Sequence, residues 1–452
     1  MSMPIQHKLS QFKTVLGMAL LACASFAPIS YANEKDVLEP TPVLQYAALA
    51  DDHYDPTVFP PSDVSDKAAD RIFDAWRTEA PSMPWTSLML NMIVKHKIAP
   101  TRAARGSALV HVAMHDAYLL SGDPVTRKIA VSTAASQVLG YWFASEEHGF
   151  DRILGRLLKR MEAESQRAAN DSSATNSPQK ITSEQRQRGL QLGRKVGLGV
   201  IARAQSDGAE RGWNGVRLQW YGDQRFYGPG SWEPTKPYFY YPPDEPFAPG
   251  WKTWVVQPAN QFRPQPPAFG SARFLKDLQE VIDIQKKITP EQIKIAKFWV
   301  DGSGSVTPPG HWNQIGLDLA RKHHLGEAQT VQMFAVLNIT LADTFIAVWD
   351  TKYHYWTGRP VTLAKAVLGV DMTPVILTPP FPSYVSGHAA FSGAGARVLG
   401  AYFPEQAASL DAMAEEAAMS RLYGGIHYRH DNDDGLALGR KVSEMVLKKM
   451  WR

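Results

Sequence analysis

A mainly α-helical fold is what this sequence predicts, on three observations. Apolar residues recur at helical spacing through most of the chain, as around Ala108, His111, Val112, His115 and Leu119. Strand-like alternation is scarce and confined to short pieces such as Thr253 to Val256. No internal repeat with a period of about 20 to 50 residues is present, which sets solenoids and propellers aside. The 452 residues are 44% hydrophobic and 20% charged, a composition that can bury a real core and that excludes disorder throughout. At roughly 150 residues per domain, this length fits two or three units, or one large domain with additions. Lys and Arg number 48 against 44 Asp and Glu, for a formal net charge of +4. That is too little to predict a nucleic-acid partner or an anionic membrane surface, so any strong positive field must be local.

Taken in order, residues 1–32 carry no acidic side chain, hold Lys8 and Lys13, and run apolar from Thr14 to Ile29. Ser30-Tyr31-Ala32 then places small residues at the two positions a signal peptidase inspects. The segment reads as a secretory signal peptide, and the expected location is periplasmic or secreted. A membrane anchor fits less well, because the apolar stretch falls short of about 18 to 20 residues. The single cysteine, Cys23, lies inside this segment, so cleavage after Ala32 leaves no cysteine for disulfides, thiolate catalysis or metal binding. Lipidation of Cys23, suggested by Leu20-Leu21-Ala22-Cys23, is the lesser alternative because Leu21 is atypical there. No other window approaches transmembrane length on this reading, and no membrane span is expected in the mature chain.

Helix-period sequence occupies about Asp66 to Gly122, Lys128 to Glu164, and Ser183 to Ala204. Ala168 to Lys180 is polar and breaker-rich, which predicts a loop. Residues 208–270 are crowded with Pro, Gly and aromatics, including Trp213, Trp220, Trp232, Trp251 and Trp254. A sugar-binding surface is one reading. An irregular segment wrapped across helices and pinned by its rings is preferred, since no polar motif accompanies them. Helical patterning resumes at Ser271 and runs to the C-terminus. The expected organisation is therefore a signal peptide (1–32), a helical N-terminal region ending in the irregular segment (33–270), and a helical catalytic domain (271–452).

Three clusters in the last hundred or so residues carry chemistry: Lys352 with Arg359-Pro360, Phe381-Pro-Ser-Tyr-Val-Ser386-Gly387-His388, and Ser420-Arg421 with His427 and Asp431. Ser386-Gly387-His388 opens an apolar helical run from Ala389 to Phe403. A helix N-terminus offers unpaired N–H groups and partial positive charge, so it suits an anion, and Gly387 admits close approach. Lys352, Arg359 and Arg421 add three positive charges, two of them forked. A multiply charged tetrahedral oxyanion is the natural guest. His427 and Asp431, four apart, would share a helix face, with the carboxylate holding one ring nitrogen protonated. The other nitrogen is then free to attack or coordinate, while His388 serves as acid or base.

These residues resemble the superfamily of type 2 phosphatidic acid phosphatases, bacterial class A acid phosphatases and vanadium-dependent haloperoxidases. Its pattern is Lys, six residues, Arg-Pro; then Pro-Ser-Gly-His; then Ser-Arg, five residues, His, three residues, Asp. Here 21 residues separate Pro360 from Pro382 and 31 separate His388 from Ser420. The departure is Val385, where the family usually has Pro. The resemblance implies a helical bundle core of the haloperoxidase/acid phosphatase type, with an additional helical N-terminal half in this chain. It also implies that His427 is the vanadate ligand or phosphorylated nucleophile, and His388 the acid/base group. Lys352, Arg359 and Arg421 would bind equatorial oxygens, and Ser386 with Gly387 would donate further hydrogen bonds.

The core motifs do not separate a peroxidase from a phosphatase. Trp349 and Phe381 match aromatic positions in the fungal-type chloroperoxidases, which marks a candidate halide pocket. Trp299-Val-Asp301-Gly-Ser and Thr307 to Gln314 resemble that branch too, with Asp301 as a candidate partner of Arg421. The leading expectation is an exported vanadium-dependent haloperoxidase acting on hydrogen peroxide and halide. The alternative is a phosphomonoesterase with a phosphohistidine and no vanadate, and a non-catalytic oxyanion binder is a third. Other signals are weaker: His111 and His115 with Asp116 lack the zinc-protease Glu, Asp431, Asp433, Asp434 and Gly435 fail the calcium-loop spacing, and His323-His324 reads as a helix end. The oligomeric state is not legible.

Overall fold

The structure, a computed structural model, describes residues 41–47, 54–58, 63–76, 78–170, 181–212 and 228–450. The expected signal peptide with Cys23, most of the Ala168 to Lys180 stretch, Trp213 and Trp220 lie outside the described residues. Among the described residues there are fourteen α-helices and no strand. The N-terminal six are α1 (Asp63–Trp76), α2 (Ser82–Lys95), α3 (Pro100–Leu120), α4 (Pro124–Trp142), α5 (Glu147–Asn170) and α6 (Ser183–Gln205). After an irregular stretch come α7 (Ala272–Lys286), α8 (Pro290–Phe298), α9 (Thr307–Lys322), α10 (Glu327–Tyr355) and α11 (Pro360–Leu368). The last three are α12 (Gly387–Tyr402), α13 (Ala407–Tyr423) and α14 (Arg429–Met450).

Local chemistry explains where several helices begin. Asp123 accepts from the backbone N–H groups of Val125 and Thr126, with Pro124 at the first helical position. Thr182 with Gln185, and Thr289 with Gln292, form reciprocal capping boxes at α6 and α8. His323 closes α9, as the sequence predicts.

One apolar core runs from Ala68 to Leu447 and joins helices on both sides of residue 270. Helix α10 is its axis, packing against α3, α12 and α14. Here an expectation fails: by length and composition α10 could cross a bilayer, but 94% of its most apolar window is buried inside the protein. A helix apolar all round is what a core helix surrounded by others requires.

The irregular segment is pinned as expected. The Trp232 amide donates to Trp356 O at 2.8 Å and its ring meets Trp356 edge-on at 5.3 Å. The Trp251 ring lies against Phe345 and under the Arg102 guanidinium. Thr253 to Val256, which alternates like a strand, is not one. The amides of Trp254, Val255 and Val256 instead all donate to the buried Asp343 carboxylate, at 2.7, 2.7 and 2.8 Å. Consecutive N–H groups converging on one anion cannot also form a ladder.

Helices α12 and α14 approach closely because glycines face the contact. A Cβ on Gly439 would lie 2.0 Å from Ala390 O, and one on Gly393 would lie 2.5 Å from Leu436 O. That approach brings the start of α12 to the start of α14, where the Ser386 amide donates to Asp431 O at 2.9 Å. Gly439→Ala is expected to destabilise the fold by about 1–3 kcal/mol, the usual cost of overpacking, and to weaken oxyanion binding as well. Urea denaturation and phosphate titration of the same preparation check both effects.

Candidate active site

Lys352 projects from the last turn of α10 and is fully buried. Its Nζ donates to Pro382 O and Ser383 O, both at 2.8 Å. Arg359 caps α11 and is also fully buried, donating through Nε to Phe381 O at 2.9 Å and through Nη1 to Ile426 O at 2.8 Å. Its Nη1 also lies 3.1 Å from His427 Nε2. Arg421, in the last turn of α13, donates to the Ser420 hydroxyl at 2.9 Å and to Ala296 O at 3.1 Å. Ser386 caps α12, so Gly387 and His388 occupy its first turn. Val385 is buried, and the Tyr384–Val385 peptide is cis. All three sequence clusters thus converge.

His427 and Asp431 meet, though not for the expected reason. Helix α14 begins at Arg429, so His427 lies in the loop before it and Asp431 in its first turn. Asp431 Oδ2 reaches back to His427 Nδ1 at 2.7 Å and also accepts from the Tyr428 amide at 3.3 Å. A carboxylate in the first turn commonly receives such loop donors. The sequence reading gave no role to Ser383, whose hydroxyl donates to the same oxygen at 2.5 Å, because no spacing rule marks it. Asp301 differs as well. Its carboxylate accepts from His311 Nδ1 at 2.8 Å, and its charge acts on Arg421 through space rather than as a direct pair.

The proton on His427 follows from its neighbours. An arginine only donates, so Arg359 Nη1 requires a bare Nε2, and Asp431 requires Nδ1–H. His427 is therefore neutral, with its free nitrogen facing the guanidinium. Burial, then the Arg359 charge, lowers it to about 3, against the opposing pull of Asp431. Burial alone would raise the Asp431 carboxyl. The hydrogen bonds from His427 and from the Ser383 hydroxyl, with the His430 and His427 rings alongside, outweigh it and hold the group well below the usual carboxylate range.

Lys352 is pushed well below the ordinary lysine value by burial and then by Arg359. Burial brings Arg359 down to about 9 and Arg421 to about 10. His388 is half-buried, and desolvation followed by the charge of Arg421 holds it well below its ordinary value. Its Nε2 lies 3.2 Å from Val300 O, and the Trp299 backbone also hydrogen-bonds the ring. Positive groups are thus crowded where one buried carboxylate cannot balance them. Arg359 Nη2, fully buried, has no hydrogen-bond partner among the described residues. An orphaned guanidinium N–H, a bare imidazole nitrogen and a helix N-terminus together fit a tetrahedral oxyanion such as vanadate or phosphate.

Beside this site the Trp349 and Phe381 rings lie 5.0 Å apart, with Lys352 Nζ 5.1 Å from the Phe381 centroid. Trp349 Nε1 and the Tyr353 hydroxyl both donate to Asp244 O, at 2.9 and 2.7 Å. The histidines set aside on sequence have their own partners. His111 bonds Thr86 and Ser107 O and stacks on Phe334, and His115 bonds Asp116.

Comparison with known proteins agrees with this geometry. The VCPO second helical-bundle domain family matches residues 332–410 and 406–452, the segment that holds Trp349, Lys352, Arg359, Phe381, Ser386, Gly387, His388, Arg421, His427 and Asp431. A bacterial vanadium-dependent iodoperoxidase of known structure superposes with a TM-score of 0.65 at 25% identity, covering 86% of this chain and 98% of its own. These comparisons support the vanadium haloperoxidase branch of the superfamily as the one this chain resembles. Vanadium chloroperoxidase from Curvularia inaequalis is 27% identical over 143 residues, 26% of this chain and 24% of that protein. The chain thus matches about a quarter of the length of this curated relative. An apo-type bacterial vanadium-dependent chloroperoxidase shares the fold at a TM-score of 0.56 and 15% identity, covering 79% and 92% of the two chains.

The His427 assignment predicts its NMR signature. In protein free of bound oxyanion, the ring should show Nδ1–H and a bare Nε2 at pH 7, and remain neutral to about pH 4. The sign for stability follows, since a histidine lowered on folding is protonated first in the unfolded chain. Its contribution, full above about pH 6.5, is lost as pH falls toward 3, and His111, lowered to about 4 by burial, adds to the same loss. A Tm that stays flat between pH 7 and 4 would contradict this.

Proposed function

We propose that this chain is an exported vanadium-dependent haloperoxidase, using hydrogen peroxide to oxidise halide to hypohalous acid. The observation that carries the reading is the bare Nε2 of His427 beside the orphaned N–H of Arg359, within a surplus of buried positive charge. Vanadate, when bound, supplies a Lewis-acidic centre that activates peroxide without changing its own redox state. His427 would hold it through Nε2. Lys352, Arg359, Arg421, the Ser386 hydroxyl and the Gly387 backbone would supply charge and hydrogen bonds to its oxygens.

His388, kept neutral and half-buried, takes the peroxide proton and exchanges it with solvent. Asp431 and Ser383 keep His427 in the tautomer that leaves Nε2 free. Trp349 and Phe381 form an apolar wall against the lysine, where a weakly hydrated halide can shed water near positive charge. The relatives include a chloroperoxidase and an iodoperoxidase, so the halide is best fixed by assay across the series.

The test uses mature protein stripped of metal and phosphate, with and without orthovanadate, assayed against chloride, bromide and iodide with a phenol dye. Hydrolysis of a phosphomonoester is measured in parallel. Vanadate-dependent halogenation is expected, abolished by His427→Ala and reduced about 10²- to 10⁴-fold by His388→Ala. Phosphoester hydrolysis blocked by vanadate, with no halogenation, would make the chain a phosphatase on this frame. Retained oxyanion binding with neither activity would make it a binder.

Export has its own check. Protein recovered from the periplasm or medium should begin at Asn33, following cleavage after Ala32. An intact N-terminus on cytoplasmic protein would refute it.

A further inference from the structure

Hypohalous acid attacks protein side chains, and this chain distributes its vulnerable groups unevenly. Sulfur is the most readily oxidised, and electron-rich indole and phenol rings take halogen on carbon. The sequence has no cysteine beyond Cys23. No methionine or tryptophan whose side chain is described is exposed. Three tyrosines are, with Tyr238 at 60%, Tyr240 at 46% and Tyr241 at 43%. Among the described residues these are the only exposed tyrosines, and they fall within four consecutive positions.

The four positions belong to the irregular strap. The Phe239 amide donates to Thr235 O at 3.0 Å, and Phe239 itself has left-handed backbone at a φ of 48°. The Tyr238 and Tyr240 rings on either side of it lie together, with centroids 5.2 Å apart. Pro237, Pro242 and Pro243 flank the run and restrict its backbone. Three residues after Tyr241 comes Asp244, whose carbonyl receives Trp349 Nε1 and whose amide donates to Pro380 O. Three residues of chain span at most about 11 Å, so Tyr241 stands within that distance of the residue that braces the aromatic wall.

A contiguous exposed aromatic run is not accounted for by packing and calls for a use. We propose that Tyr238, Tyr240 and Tyr241 form a self-modification site, in which their ring carbons take halogen from the hypohalous acid that the enzyme releases. The inference rests on the haloperoxidase reading above. The carbon beside the phenolic oxygen gives an electron pair to the halogen. The oxygen–halogen bond breaks with its pair left on oxygen, and the displaced ring proton and the acid's own hydrogen leave with that oxygen as water. The two electrons that reduce the halogen come from the ring, so no further oxidant enters. Phe239, exposed between the tyrosines, lacks the hydroxyl that enriches the ring and stays unmodified. Halogen taken up on surface lysine nitrogen is removed again by a thiol, whereas halogen on a ring carbon is kept.

The test incubates the full mature protein with orthovanadate, hydrogen peroxide and chloride, bromide or iodide in separate reactions, each with a parallel aliquot containing a phenol dye. After a thiol quench the protein is digested and its halogenated residues are mapped by mass spectrometry, with controls lacking vanadate or peroxide. With a halide that halogenates the dye, halogen is expected on Tyr238, Tyr240 and Tyr241 ahead of the half-buried Tyr46, Tyr118, Tyr141 and Tyr355, and absent from Phe239. Replacing the three by Phe (Tyr238→Phe, Tyr240→Phe, Tyr241→Phe) is expected to remove most of the covalent halogen and leave the initial dye rate at the wild-type value.

Dye halogenation with these tyrosines unmodified, or no more modified than the half-buried ones, overturns the proposal and leaves the haloperoxidase reading standing. So does a folded triple variant that carries as much covalent halogen as the wild type. Failure to halogenate the dye with any halide overturns the reading and the proposal together. If the triple variant does not fold, the wild-type map decides alone.

Discussion

Asp431 is the group on which the site is balanced. It stands in the first turn of α14, where the helix dipole favours an anion, and it is fully buried. Lys352, Arg359 and Arg421 are buried as well. At an effective dielectric of about 20, like charges at 4 Å repel by about 4 kcal/mol, so such a set cannot be indifferent to whether an anion is present. Asp431 offsets part of that positive charge through His427 Nδ1, on the edge of the ring away from the nitrogen that faces Arg359.

That balance depends on packing set far from any charged group. Ser386 caps α12 and donates its amide to the Asp431 carbonyl, a contact possible only because Gly393 and Gly439 let the two helices touch. The carbonyls of Pro382 and Ser383 take Lys352 and that of Phe381 takes Arg359. One short loop therefore aims two cations and, through the Ser383 hydroxyl, orients the carboxylate. Buried cations spend some of their donors on this loop, and Nη2 of Arg359 is left over, buried and without a hydrogen-bond partner among the described residues.

Much of this was legible in the sequence. Helical spacing gave the class, and Lys352, Arg359, Ser386, Gly387, His388, Arg421, His427 and Asp431 announced an oxyanion site because each residue type had a distinct part in holding one. What was not legible arises from contacts between residues distant in sequence. Asp277 meets His430 across 153 positions, and nothing on α7 distinguishes it from a surface acid. Asp343 lies within a long apolar run, and only the folded strap shows that it gathers three amides. The helix assumed for His427 and Asp431 failed because a four-residue spacing fits a loop entering a helix as well as the helix itself. The length of α10 was missed because its apolar character, which resembles a membrane span, is created by neighbours on every side.

The N-terminal half acts on the site through the irregular strap. Asp244 carries the link: its carbonyl receives Trp349 Nε1 and the Tyr353 hydroxyl, and its amide donates to Pro380 O beside Phe381. The strap is held at Glu245, whose carboxylate grips Arg102 of α3 at 2.6 and 2.8 Å, and again at Asp343. Burial raises the Asp343 carboxyl to about 6 in spite of its three amide donors, so the fold tolerates a costly anion there in order to fix the strap. The oxyanion site and its aromatic wall therefore have separate foundations. Helices α10 to α14 alone would supply nearly all the groups that bind the anion, while the orientation of Trp349 depends on residues some hundred positions earlier. Changes in the strap can thus alter the aromatic wall without altering the groups proposed to hold an oxyanion.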